Sequence, residues 1–160
     1  MAASAEGLLR TAHLITMDEG EAEDLVQECL LVLSQRWRQV GAMDQPQAYA
    51  RRVLVNLAVR GGSKRSKRRA ELGTPTAERV DEFAGIELVE TRDELWEALR
   101  RLTPRQRAVL VLRYFHDLSE AQTAEILGCT PKTVSSTSSR SLTQLRELIK
   151  PAASERGCQR

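Results

Sequence analysis

Aromatic side chains are almost missing from this 160-residue chain: two Trp, two Tyr and two Phe make up 4% of it. So few rings exclude a core built on aromatic packing and leave aliphatic residues to fill small cores. Cysteine is scarcer still. Cys29, Cys129 and Cys158 are odd in number and far apart, which excludes a disulfide framework. With only His13 and His116 as further soft ligands, no metal-ligand spacing forms, and neither a metal nor a cofactor is expected. Cys29 falls among apolar residues at helical spacing and reads as a small core residue. Long apolar runs are absent too. The longest, such as Cys29–Leu33 and Ala108–Leu112, hold five residues, whereas a membrane-spanning helix needs about 20. Nothing resembles a signal peptide, so a reduced, cytoplasmic setting is expected.

What the chain has in quantity is Leu, Ala, Arg and Glu, which favour helices over strands. Its formal net charge of +2 hides a strong segregation. Residues 1–50 sum to −5, 51–70 to +8, 71–99 to −7 and 100–150 to +5. Two basic blocks set apart by acidic ones suggest two places that meet a polyanion.

In chain order, residues 6–17 form a short amphipathic segment with Leu8, Leu9, Ala12 and Ile15 on one side and His13 packing beside them. A long helix is predicted from Glu21 to Val40, its core stripe running Ala22, Val26, Cys29, Leu33, Trp37, Val40. Asp24, Gln27 and Glu28 share another face, a solvated acidic face on the plainest reading; an apolar Leu31 continuing that strip makes a protein-binding ridge the competing one. Pro46 restarts the chain, and the next helix, Gln47 to about Arg60, buries Tyr49 or Ala50, Val53, Leu54, Leu57 and Ala58. Arg52, Asn56 and Arg60 fall at four-residue intervals along one side. They lead into GGSKRSKRR, where Lys64, Arg65 and their neighbours invite phosphate, because neutralising phosphates releases condensed counterions. Residues 71–92 keep no period and read as a linker, with a short helical turn near Phe83. Helix resumes near Asp93 with Leu95, Trp96, Leu99 and Leu102. Thr103-Pro104 starts another, reaching about Phe115, with Val109, Leu112 and Tyr114 or Phe115 inward. Pro151–Arg160 reads as a polar tail.

The densest local signal lies in LSEAQTAEILGCTPKTVSSTSSRSLTQLR, Leu118 to Arg146. Ser119 with Gln122 makes a capping box, and Ala121, Ala124 and Leu127 give the first helix an apolar stripe. Gly128 tolerates the left-handed turn that stops it, and Thr130-Pro131 opens the second helix. Val134, Leu142, Leu145 and Leu148 form that helix's buried side, leaving Lys132, Thr133, Ser135, Ser136, Ser139 and Arg140 to point elsewhere. This is the layout of a helix-turn-helix, whose second helix sets its N-terminal part into the DNA major groove. Ser135, Ser136, Ser138 and Ser139 have no general base placed beside them, so no enzyme is expected.

Taken together, both halves resemble the extracytoplasmic-function (ECF) sigma factors, the smallest members of the sigma-70 family. DLVQE at Asp24–Glu28 matches region two, AYARRVLVNLAVR at Ala48–Arg60 resembles the helix that reads the minus-ten element, and the segment from Leu102 to Leu148 resembles region four, which reads the minus-thirty-five element. The resemblance implies an all-α fold of two small helical domains: region two at residues 1–70, a flexible linker at 71–92, region four at 93–150 and a tail at 151–160. It implies a promoter-specificity subunit of bacterial core RNA polymerase. Asp24, Gln27, Glu28 and Leu31 would meet the clamp helices of the beta-prime subunit, and region four the beta flap. Arg52, Asn56, Arg60, Lys64 and Arg65 would contact downstream promoter DNA, with Met43, Asp44 and Gln45 lining a base pocket. Lys132, Thr133, Ser135, Ser136, Ser139 and Arg140 would contact the upstream element. An anti-sigma partner is a further family-level expectation.

Three departures stand out. The first helix starts late, Ser135 stands where the family usually has Lys or Arg, and Gly61-Gly62 interrupts a helix end that commonly carries Trp and more arginines. The competing reading is a stand-alone helix-turn-helix regulator, which has no use for the DLVQE strip.

Overall fold

The computed structural model describes residues 2–72 and 89–155, and side chains within 5–61 and 93–149. Among these every regular element is helical, as the composition predicts. The chain divides into two compact units, one built on residues 1–80 with 125–128 and the other on 81–124 and 129–160. Most of the expected linker, including Phe83, lies outside the described residues.

The first unit packs α1 (Ala2–Thr16), α2 (Glu19–Gln35), α3 (Trp37–Gly41) and α4 (Pro46–Leu72). Helix α1 begins several residues before the predicted Glu6, so the turn preceding Leu8 is present. Leu8, Ala12 and Ile15 are buried as the spacing predicts, and so are Thr11, His13, Leu14 and Thr16. The Thr11 and Thr16 hydroxyls donate to the Gly7 and Ala12 carbonyls, so both bury without stranding a polar hydrogen. Met17 then takes a left-handed φ of 58°. Asp18 caps α2 by accepting from the Glu21 amide at 2.8 Å.

One correction concerns the second helix, which does not run on to Val40. It stops at Arg36, whose amide donates to the Leu33 and Ser34 carbonyls while its φ opens to −114°. The Ser34 hydroxyl donates to the Leu31 carbonyl at 2.7 Å, a local back-bond that competes with the helix ladder. In an unbroken helix Trp37 would follow Leu33 by four residues on the buried stripe. Across the break it is turned out to 59% exposure. Ala22, Val26, Cys29, Leu33 and Val40 are buried as predicted, with Leu25 added.

A second correction concerns α4. Expected to end near Arg60, it passes through Gly61-Gly62 to Leu72. Helix-interior glycine costs about 1 kcal/mol relative to Ala, which weakens a helix without terminating it. Ala50, Leu54 and Ala58 are buried as predicted, Tyr49, Val53 and Leu57 half-buried, and Val55 is a buried addition.

The second unit holds α5 (Val89–Arg100), α6 (Pro104–Leu110), the first five residues of α7 (Glu120–Leu127) and α8 (Pro131–Glu155). Ala98, Leu102, Leu110 and Leu145 form a core cluster, flanked by Leu99, Leu142, Leu148 and Ile149. Helix α6 has a complete capping box between Thr103 and Gln106, with Pro104 in its first turn. It continues as a π-helical turn, Val111–Phe115, in which the His116 amide reaches back five residues to the Val111 carbonyl at 3.0 Å. That wider turn shifts the face presented. Val109 and Leu112 stay buried, but Tyr114 and Phe115, one of which was expected inward, are 58% and 46% exposed. At the other end, α8 persists through Pro151 to Glu155 where a tail was expected from Pro151. Proline's fixed φ is itself helical, but its missing N–H and the clash of its ring with the carbonyl four residues back cost the helix about 3 kcal/mol.

Candidate nucleic-acid interface

The turn between α7 and α8 is built by local chemistry. The Gln122 amide donates to the Ser119 hydroxyl at 3.1 Å, and the Ser119 amide to the Gln122 side-chain oxygen at 2.9 Å, closing the predicted capping box. At the far end of α7, Gly128 has φ +66°, and the Cys129 amide reaches back to the Ala124 carbonyl at 3.0 Å. This is the long bond of a Schellman ending, with Gly128 as the left-handed residue. Thr130 then caps α8, accepting from the Thr133 amide at 3.2 Å. Ala124, Leu127 and Val134 are buried around the turn, whereas Ala121, expected in the apolar stripe, is exposed.

Two arginines brace this arrangement from below, and sequence reasoning missed both. Arg113 donates from Nη1 to the Leu118 carbonyl at 2.6 Å, fixing the approach to α7. Arg107 is buried, and its Nη1 lies within hydrogen-bond reach of the Leu99, Arg100 and Leu102 carbonyls at the end of α5. The signal available was an Arg opening the apolar run Ala108–Leu112 just after a helix end, where cations satisfy orphan carbonyls.

On α8 the structure sets out the predicted residues clearly. Lys132, Thr133, Ser136, Ser139 and Arg140 are exposed and Ser135 is half-buried. Ser138 and Ser141 belong to the inner face instead. Ser141 is fully buried and donates to the Thr137 carbonyl at 2.7 Å, and the Ser138 hydroxyl lies 3.4 Å from that of Tyr114. The outward face is therefore hydroxyl-rich between two cations. Such a face suits duplex DNA, with Lys132 and Arg140 gripping phosphate or guanine and the hydroxyls mixing backbone and base contacts.

In the first unit, Asp24, Gln27, Glu28 and Leu31 are all exposed, and Leu31 reaches 59%. Leu25 and Val26 of the same DLVQE segment are buried, so the motif divides cleanly between core and surface. On α4, Arg52 and Arg60 are exposed and Asn56 is half-buried. Lys64 and Arg65 lie on the helical extension, outside the residues whose side chains are described. Met43, Asp44 and Gln45, ahead of α4, are exposed. The α2 and α8 sets belong to different units.

Among the described residues no group of His, Cys, Asp and Glu could hold a metal ion, and no helix is long and apolar enough to cross a membrane. Burial pushes the Cys29 thiol up to about 11, partly opposed by a backbone hydrogen bond at Leu54, so it is a core residue as expected.

Comparison with known proteins agrees with this geometry. Residues 92–145 match the family described as Sigma-70, region 4. The chain is 34% identical over 142 residues to the RNA polymerase sigma-E factor of Streptomyces avermitilis, spanning 89% of this chain and 78% of that protein. The ECF RNA polymerase sigma factor SigG of Mycobacterium tuberculosis is 28% identical over 180 residues, covering 93% of this chain and 47% of its own length. Among solved structures, the sigma factor RpoE from Bartonella quintana, crystallised with the anti-sigma factor NepR, superposes with a TM-score of 0.70 at 24% identity. That match covers 93% of each chain and speaks for the fold. With a capped helix-turn-helix inside the matched region and likeness along nearly the whole chain, the protein belongs to the extracytoplasmic-function class of RNA polymerase sigma factors.

Proposed function

We propose that the protein joins core RNA polymerase in the bacterial cytoplasm, directs it to particular promoters and supports initiation, without catalytic residues of its own. The observation that carries this reading is the outward face of α2. Asp24, Gln27 and Glu28 present polar and acidic groups beside a Leu31 that is 59% exposed on a helix whose opposite face is core. Leucine so exposed, rimmed by carboxylates, suits a protein partner better than water. These residues are the polymerase contacts, with the beta-prime clamp helices as their target and the beta flap meeting region four.

Residues 1–70 then serve as region two, 71–92 as linker and 93–150 as region four. Lys132, Thr133, Ser135, Ser136, Ser139 and Arg140 contact the upstream element. Arg52, Asn56, Arg60, Lys64 and Arg65 contact the downstream one, where exposed single strand needs cations along its backbone and pockets for its bases. The Bartonella RpoE was crystallised with an anti-sigma factor, and a comparable inhibitory partner is consistent with this chain's fold.

The test is the double change Asp24→Lys plus Glu28→Lys in the full chain. It abolishes co-purification with core polymerase and run-off transcription while leaving binding to upstream duplex in place. Unchanged polymerase affinity in that variant favours a stand-alone DNA-binding regulator instead.

A further inference from the structure

Tyr114 is left without a role by the contacts proposed above. Its ring is 58% exposed in a chain with few rings, because the π-helical turn takes it off the buried stripe. The side chain is placed rather than loose. The Arg113 guanidinium carbon stands over the ring, 5.8 Å from its centroid, while Nη1 of the same arginine is anchored on the Leu118 carbonyl. The phenolic hydroxyl lies 3.4 Å from that of Ser138 on α8. That separation exceeds the roughly 2.5–3.0 Å of a well-made O–H···O bond, so the phenolic proton remains open to a stronger acceptor.

Ser138 marks a boundary on α8. On its core side stands Leu142, four residues on and packed against the buried cluster. On its outer side stands Ser135, three residues back and half-buried. Ser135 belongs to the reading face and occupies the position where the family usually carries Lys or Arg. A serine hydroxyl there cannot reach as far as a long cation. The neighbouring phenol is longer, exposed and able to donate, and Tyr is among the side chains that hydrogen-bond phosphate oxygens. With Arg113 against the ring and a charge of +5 over residues 100–150, this edge draws an anion in.

We infer that Tyr114 donates its hydroxyl to a backbone phosphate of upstream duplex DNA, at the Ser135 edge of the reading face. The contact comes from outside α8 and fixes how that helix sits on the duplex without reading sequence. It rests on the reading of α8 as the upstream-element helix and adds a positioning contact to it.

The test uses the full chain and a labelled duplex that it selects from a randomised library, with binding followed by anisotropy at several salt concentrations. Tyr114→Phe keeps the ring and removes only the hydroxyl. It weakens binding roughly five- to tenfold, and by the same factor on single-base-pair variants of the duplex. The slope of log affinity against log salt stays as in the parent, because a neutral donor releases no counterion. Tyr114→Arg returns a donor to this edge, recovers the affinity and steepens the slope by about 1. Duplexes in which single phosphates are replaced in turn by uncharged methylphosphonate locate the contact. One of them weakens the parent several-fold more than it weakens Tyr114→Phe.

A Tyr114→Phe chain that binds the selected duplex as tightly as its parent overturns the inference. A loss confined to particular base pairs overturns it as well, by making the phenol a base contact. Normal duplex binding combined with lost co-purification with core polymerase likewise overturns it, by making this turn a protein surface. Failure of the parent to select any duplex removes the α8 reading and this contact with it. A parent that selects a duplex, beside an unaffected Tyr114→Phe, removes the tyrosine contact alone.

Discussion

The Arg107 guanidinium, buried inside α6, donates to the carbonyl of Leu102, two residues beyond the end of α5. The same Nη1 lies 3.2 Å from the Leu99 carbonyl, which also accepts from the Leu102 amide at 3.1 Å, so one cation gathers carbonyls at and just past the helix end. It also holds α5 against α6, beneath the helix-turn-helix.

Replacing Arg107 by Ala should therefore destabilise the second unit by about 2–4 kcal/mol, since buried carbonyls lose a charged donor and a long stem leaves a void. Denaturant unfolding followed by Trp96 emission reads this out. Arg107→Lys should recover only part of the loss, because a single ammonium cannot reproduce the planar fork. Full stability in Arg107→Ala contradicts the bracing role.

Gly128→Ala tests the turn itself. The position has open space around an added Cβ, so the cost is the left-handed φ alone. An Ala there should cost about 1–2 kcal/mol, and Asn less, because its short polar side chain tolerates that conformation. A thermal melt of the three proteins gives the order Gly, Asn, Ala from most to least stable.

Arg140→Ala should weaken binding to upstream duplex and reduce the slope of log affinity against log salt by about 1. Titrations at several salt concentrations measure it. Equal slopes in parent and variant contradict a phosphate contact. Ser136→Ala, by contrast, should leave the slope unchanged and alter only the preference among duplex sequences.

Cys29 gives a pH test in the first unit. Its thiol is fully buried, its Sγ lies 3.5 Å from the Ala50 carbonyl, and burial raises its ionisation from 9.0 to about 11. A group raised on folding contributes stability that is fully present below the unfolded value. Stability from Cys29 should thus be flat below pH 9 and fall as the pH rises towards 11. The difference in unfolding free energy between parent and Cys29→Ala, followed from pH 8 upward, isolates it from other groups titrating there. The native thiol should also resist alkylation at pH 8 while the half-buried Cys129 reacts.

How much of this was readable from residues alone depended on how local each decision was. The caps and the turn of the helix-turn-helix were legible, though not the exposure of Ala121, because Ser119, Gln122, Gly128, Thr130 and Pro131 each act on their own few neighbours. Ala12, Cys29, Leu54 and Val134 likewise declared themselves by helical spacing. Trp37 did not, since its period is right and only the break at Arg36 moves it outward. Tyr114 and Phe115 were misplaced for a similar reason: spacing arguments assume 3.6 residues per turn, and the π-helical turn violates that assumption where they sit. The run through Gly61-Gly62 was hidden because glycine lowers helix propensity without dictating an end. Arg107 needed a tertiary partner, Leu102, to reveal what a charge was doing in an apolar stretch.

The five-residue turn from Val111 to Phe115 holds one residue more than ordinary winding needs. Dropping one residue from that stretch would return the chain to ordinary winding and, because four residues at 3.6 per turn cover nearly the rotation of five in the wider turn, leave the downstream segment close to its present bearing. The surplus residue is thus spent within the turn itself, on which side chains that turn shows to solvent, and the winding of α8 that follows is not disturbed by it.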